Sequence, residues 1–409
     1  MHFVPLLHLV SLRRTPLASR TKGGPPSLPD RLSSTIPDGA TIKNSLNKND
    51  LVHYLVERGL LDRRAIVDGD VMVVEGARRH HNYSVIRRNG PGLFVKQMQP
   101  DQAMSAQTLQ KEAACYVMME SDPAVAEIHA LMPRFRAYDP DRHILVMDLI
   151  DGGENLTELH RRLNSFPTDV AESIGALLAR YHEVSSRELL PRANAAIYQG
   201  QPPWILSFHL IPHGAMQNLS AANGQFMTIL QRYPDFGQAL DRIRMNWRRN
   251  VLVHGDMKFD NIVVRAAQTP EQTMHVVDWE LADVGDCAWD VASILQAYLT
   301  WWISTLQRVA NDPNDAAQYP LESIQPAIVA FWDAYVSSRR LGARDADAEL
   351  ERAVSYAGAR MLQTVYESLA WAPALTQHAV WQVQACINIL KAPRAAATDL
   401  LGFPAGVHA

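Results

Sequence analysis

The sequence predicts an α+β chain in two parts: a small antiparallel five-stranded unit with one helix, followed by a large, mainly helical unit. Three observations carry this. Short β-branched and aromatic runs fill residues 70–150, the pair Gly152-Gly153 breaks the chain, and beyond it apolar residues recur at helical spacing.

Residues 1–48 are expected to be a disordered N-terminal extension. The first 29 contain no Asp or Glu but carry Arg13, Arg14, Arg20 and Lys22, and the apolar opening is interrupted by His2, Pro5 and His8. From Asn49 to Leu61 a capping asparagine precedes Leu51, Tyr54, Leu55 and Leu60 at helical spacing. Then the period changes. "DVMVVEG" (70–76), "NYSVIRR" (82–88) and "GLFVKQM" (92–98) read as strands of a meander, with Asn89-Gly90 as the hairpin signal between the last two. Residues 103–120 lack Gly and Pro and read as a helix, and "RFRAY" (134–138) and "HILVMDLI" (143–150) complete five strands. Helices are expected over 169–184, 236–250, 322–340, 346–371 and 375–391, with an irregular stretch from 189 to 212. The units divide as 49–147 and 148–409.

Composition narrows the function. With 409 residues, 47% of them hydrophobic, there is apolar material for a large core. A formal net charge of -4 and the lack of a basic stripe argue against a nucleic-acid partner. Cys115, Cys287 and Cys386 are scattered, which fits neither a disulfide framework nor a zinc site and predicts a reducing, cytoplasmic setting. The most apolar segment, 291–303, is interrupted by Ser293, Gln296 and Thr300 and is too short to span a bilayer, so no membrane partner is expected.

The chemistry concentrates in "LVHGDMKFDN" (252–261), where an acid, a cation and an amide crowd one turn. Carboxylate and amide oxygens are the ligands magnesium prefers, so Asn261 and Asp278, the latter ending the strand "HVVD", are candidate metal ligands. Asp256 is left to orient or deprotonate a hydroxyl, and Lys258 to offset charge on a phosphoryl group. Phosphoryl transfer needs one more cation, for the nucleotide phosphates. Lys96 ends the apolar run "LFVK", and Glu112, mid-helix in "QKEAACY", is the partner a buried lysine requires.

These residues, with "HVVDWELADVGDCAWDVASIL" (275–295), resemble the aminoglycoside phosphotransferase and choline kinase family, over about residues 70–300. His254, Gly255, Asp256, Asn261, Asp278, Gly285, Asp286, Ala288 and Asp290 fall in the family's order. The resemblance implies a bilobal, protein-kinase-like fold and an ATP- and Mg2+-dependent kinase acting on a hydroxyl. It further implies Asp256 as the catalytic carboxylate, Asn261 and Asp278 on magnesium, Lys96 on the α/β phosphates with Glu112 beside it, the backbone of Asp148 and Ile150 against adenine, and Asp290 as a structural brace. The loop "GARRHHNYS" departs from a glycine-rich pattern, and Asn82 and Ser84 are the candidates there to cover the phosphates. Lys258 also departs from the family's usual residue, and a surface salt bridge to Asp260 is its plain alternative.

Other residues carry blander expectations. His254 reads as packed and structural, His80-His81 as solvated, Asp260 as a surface turn residue, and Trp301-Trp302 as core or groove-lining. Glu280 is equally a metal or substrate neighbour and a salt-bridge partner.

Three functions compete: a kinase for a small-molecule hydroxyl, a peptide Ser/Thr kinase of a modified-peptide natural product pathway, and a non-catalytic nucleotide-binding module. Only eleven residues separate Asp278 from Asp290, too few for an activation segment and peptide platform. The acidic run "DADAELE" (345–351) could serve a cationic acceptor or simply suit a helix start.

Overall fold

The computed structural model describes residues 46–77, 81–98, 103–120, 123–211, 220–231, 233–265, 273–307 and 317–404. The extension ahead of residue 46 and His80 lie outside these, and the side chain of His81 is likewise not described.

Helix α1 (Lys48–Glu57) is capped two residues earlier than expected. Asn47, not Asn49, caps it, because its side chain accepts from the amides of Asn49 and Asp50. A one-and-a-half-turn helix, α2 (Arg63–Val67), follows. Strands β1 (Val71–Ala77), β2 (His81–Arg87) and β3 (Leu93–Gln97), helix α3 (Ala103–Glu120), helix α4 (Ala126–His129), and strands β4 (Phe135–Asp139) and β5 (Ile144–Asp148) come next. The five strands form one antiparallel sheet in the order β1-β2-β3-β5-β4.

Alternation divides this sheet into two unlike faces. Tyr83, Val85, Leu93, Val95, Ile144 and Val146 pack with Leu51, Tyr54, Leu55 and Leu61 of the α1–α2 segment in one core. Each fully buried leucine contributes about 1.5–3 kcal/mol, which holds the segment to the sheet. The Tyr83 hydroxyl also donates to the Leu46 carbonyl, and the Leu46 amide to Gln97. The register places Asn82, Lys96 and Leu145 in a row on the opposite face, beside the row of Val74, Ser84, Phe94 and Met147.

A short strand β6 (Gly153–Asn155) leads into α5 (Leu156–Leu163) and α6 (Thr168–Val184). After α7 (Ala221–Gln231) and α8 (Pro234–Met245), strand β7 (Val251–Val253) opens the motif region. The expected helix 236–250 stops at Met245, because the Asn250 amide already pairs with Gly285 and commits the chain to strand geometry. Strands β8 (Ile262–Arg265) and β9 (Thr273–Val276) join β6 in a three-stranded sheet, and β10 (Asp283–Gly285) pairs with β7. Helices α9 (Cys287–Thr305), α10 (Leu321–Arg339), α11 (Ala343–Ser368), α12 (Gln377–Lys391) and α13 (Pro393–Asp399) complete the chain.

By internal contacts, residues up to Glu154 with Val263–Ala282 form one unit, and Asn155–Ile262 with Asp283–Ala409 a second. In the second, α6 and α10 cross so closely that a Cβ on Gly175 would lie 2.2 Å from the Phe331 carbonyl oxygen; only glycine fits. Among the described residues no helix is long and apolar enough to cross a membrane. The three cysteines are buried and unbridged.

Candidate active site

The first unit holds a buried ionic cluster. Lys96 Nζ lies 2.8 Å from both carboxylate oxygens of Glu112 and 2.6 Å from Asp278 Oδ1. Lys96 is 5% and Glu112 0% exposed. α3 brings Glu112 in, and packs against the turn 279–281 that follows Asp278. Asp278 stands at φ 70°, a left-handed conformation that a non-glycine residue adopts at a cost and that recurs at functional sites.

One lysine thus serves two carboxylates. Burial alone would lower the Lys96 pKa, yet Asp278 and Glu112 hold it above its ordinary value. Glu112 is pushed up to about 7 by burial, against the pull of Lys96 and with a further push from Asp278 and Glu280. Glu280 is itself buried. The cluster carries surplus negative charge on hard oxygen donors, which suits magnesium. Among the described residues no group of three His, Cys, Asp or Glu could cage a metal, so phosphate oxygens and water would have to complete its shell. On the same sheet face as Lys96, Asn82 Oδ1 is buried without a partner among the described residues, while Ser84 sits one row farther from the β1–β2 turn. Asp148 ends β5; its amide donates to Arg134 and its carboxylate takes Arg136, and the Ile150 carbonyl accepts from Gly153.

The second unit holds the turn 254–261. Strand β7 is hung from the π-helical turn Ser185–Leu189 after α6: the Leu252 amide donates to Ser185 Oγ, and the Leu252 carbonyl accepts from Ser185 and Tyr181. Asp290, one turn into α9, accepts the His254 amide at 2.8 Å and the Gly255 amide at 2.9 Å. His182 and Tyr335 lead from it to Glu349, which also takes Arg339. Gly255 turns the chain at φ 83°, where a side chain would strain it. Beyond it the chain closes a tight turn, the Lys258 amide donating to the Asp256 carbonyl at 2.8 Å. Met257 and Phe259 are buried, Phe259 against Tyr298 and His160, while the side chains of Asp256 and Lys258 meet each other. His254 is fully buried, and its Nδ1 accepts the Asp256 amide.

Lys258 Nζ reaches Asp256 Oδ2 at 2.6 Å. Asn261 Nδ2 donates to the Asp256 carbonyl at 2.8 Å, which fixes the amide's orientation. Arg360, on α11, was not among the expected residues. Its Nη2 lies 3.0 Å from Asp256 Oδ1 and its Nη1 3.0 Å from the Gly255 carbonyl, with the guanidinium 5.0 Å over the Trp289 ring. Burial pushes the Asp256 carboxyl up, but Lys258 and Arg360 hold it below its ordinary value. A signal for Arg360 exists in the sequence: a charge within the buried face of "SYAGARML" requires a partner. Which partner is a tertiary matter. Of the acidic run at 345–351, Glu349 is taken by Arg339 and Tyr335, and Glu351 pairs with Arg394.

Residues 70–321 match the model of the phosphotransferase enzyme family. The choline kinase of Cryptosporidium parvum superposes with a TM-score of 0.55 at 11% identity, covering 87% of this chain and 98% of that one. The choline kinase LicA of Streptococcus pneumoniae gives 0.47 at 12% identity over 82% and 99% of the two chains. The GDP complex of an aminoglycoside 2'-phosphotransferase gives 0.45 at 15% over 83% and 98%. At such identities the likeness to the Cryptosporidium enzyme is one of fold, the protein-kinase-like α+β fold. No curated protein sequence matches the chain. The family match spans more than half the chain and includes Lys96, Glu112, Asp256, Lys258 and Asp278, and the chain belongs to the phosphotransferase enzyme family, that of the aminoglycoside phosphotransferases and choline kinases.

Proposed function

We propose that the protein is a kinase that transfers the γ-phosphate of ATP, with magnesium, to the hydroxyl of a small molecule. The observation that carries this reading is the turn 254–261, where Asp256, Lys258 and Asn261 meet within hydrogen-bond reach on a backbone braced by Asp290. Asp256 Oδ2 orients the acceptor hydroxyl. The acceptor oxygen bonds to the γ-phosphorus, the bridging P–O bond breaks with its electron pair remaining on ADP, and the hydroxyl proton leaves through Asp256. Lys258 draws the charge that spreads over the phosphoryl oxygens. Lys96, fixed by Glu112, holds the α/β phosphates, and Asn82 and Ser84 line the same sheet face. Asp148 and Ile150 meet the purine edge through their backbone. Asn261 and Asp278 would hold magnesium, which when bound supplies positive charge to the β- and γ-phosphate oxygens.

A small acceptor is favoured over a peptide because the stretch after Asp278 is taken up by the turn 279–281, β10 and the start of α9. That leaves no segment to build a peptide platform. The test is phosphate transfer from Mg-ATP to a panel of an aminoglycoside, choline, neutral polyols and a Ser/Thr peptide, with Asp256→Asn as control. Transfer to a small hydroxyl compound that Asp256→Asn abolishes is the expected result. Transfer to the peptide alone would select the modified-peptide pathway. Nucleotide binding without any turnover, with or without acceptor, would leave a binding module.

A further inference from the structure

We propose that Arg360 is the standing counter-ion of Asp256, a positioning residue that keeps the carboxylate in place when Lys258 moves to the phosphoryl group. This rests on the phosphotransfer reading above. Arg360 also lies beyond residues 70–321, outside the stretch that matches the family.

The two cations on Asp256 are held very differently. Arg360 is 6% exposed in the middle of α11, and its guanidinium is locked on three sides by the Gly255 carbonyl, Asp256 Oδ1 and the Trp289 ring. Trp289 is fixed in turn, donating its Nε1 to the same Gly255 carbonyl at 3.1 Å. A planar fork bound in this way has no second position to take up. Lys258 sits on a flexible stem, its side chain 42% exposed, and meets the other oxygen, Oδ2.

A lone counter-ion could not serve both partners. Were Lys258 the only cation on Asp256, its move to a phosphate would strand a carboxylate that is largely shut off from water. With Arg360 on Oδ1 the move costs little, and Oδ2 is exposed to the incoming hydroxyl as Lys258 departs. The transfer itself is as balanced above; Arg360 takes no proton and touches no reacting atom. Its contribution is that Lys258 and Asp256 can act on different groups at the same moment.

The test uses the full chain and Mg-ATP with water as acceptor, so no acceptor need be known. Lys258→Met is made in the native background and in Arg360→Gln. In the native background it should lower kcat roughly thirtyfold or more. In Arg360→Gln, Lys258 is pinned to Asp256, and the same substitution should cost less than about threefold. Arg360→Gln alone should lower kcat at least about tenfold with KM for ATP within about twofold, and Arg360→Lys should recover part of the rate. Equal Lys258 penalties in both backgrounds would overturn the role, as would a KM effect without a kcat effect. Should Arg360→Gln fail to fold, the coupling is measured in Arg360→Lys, where non-additivity is again expected and strict additivity refutes the proposal. A native chain that transfers phosphate from ATP neither to water nor to any compound of the acceptor panel refutes the phosphotransfer reading and takes this proposal with it.

Discussion

The two ionic clusters are inversions of each other. Around Lys96 one cation is shared by two carboxylates, Glu112 and Asp278. Around Asp256 one carboxylate is shared by two cations, Lys258 and Arg360. Neither cluster is neutral by itself. The first has negative charge left over and calls for a cation; the second has positive charge left over and calls for an anion. The contrast also extends to mobility: the odd charge of the first cluster is buried in the sheet, whereas the second has one locked and one flexible cation. A charge meant to stay is desolvated and forked, and a charge meant to move is left on an exposed stem.

The comparison can be broken at each member. The largest effect is expected at the unique carboxylate. Asp256→Asn should reduce transfer on the order of a thousandfold or more, with nucleotide affinity changed by less than about twofold. Single-turnover phosphorylation and calorimetry separate the two, and lost ATP binding with surviving catalysis would contradict the assignment. Next comes the flexible cation. Lys258→Met should cost on the order of 2–4 kcal/mol in the barrier, roughly thirty- to a thousandfold in kcat at saturating ATP. A fall under about threefold in a folded variant would reduce the lysine to a turn residue.

The unique cation of the first cluster should show itself in both binding and stability. Lys96→Met is expected to lower kcat/KM for ATP by about ten- to a hundredfold and, by stranding two carboxylates, to destabilise the fold by roughly 3–5 kcal/mol. Denaturant melts read the second quantity; an unchanged midpoint would mean Glu112 and Asp278 are compensated elsewhere. The smallest effect sharpens the surplus charge itself. The Glu112 pKa is raised in the folded state, from an ordinary 4.5 to about 7. Its contribution therefore favours folding at low pH and is lost as pH rises from 4.5 through about 7. Glu112→Gln should flatten that slope, a difference of roughly 1–3 °C in melting temperature between pH 5 and 8 without divalent metal. A slope unaltered by the substitution would place the surplus on another group.

Much of the fold was legible because local periodicity carried it. The five strands lie within two residues of the runs that predict them, and α3 spans 103–120 as its lack of Gly and Pro implies. The misplacements have local causes: Asn47 outcompetes Asn49 as a cap because its side chain reaches two amides, and α8 ends early because Asn250 is claimed by Gly285. The site was legible to the extent that its residues share one turn. Asp256, Lys258 and Asn261 are neighbours in sequence, so a single tight turn brings the acid and the cation together.

By itself, then, the sequence determined the α+β class, the family and the acid, cation and amide of the motif, because these depend on spacing within a few residues. Tertiary structure alone decided who neutralises whom. It gave Lys96 a second carboxylate 182 positions away and brought Arg360 to Asp256 across 104. A buried charge must find a partner, but chain proximity does not choose it. Helix and sheet packing does, by deciding which side chains are desolvated together.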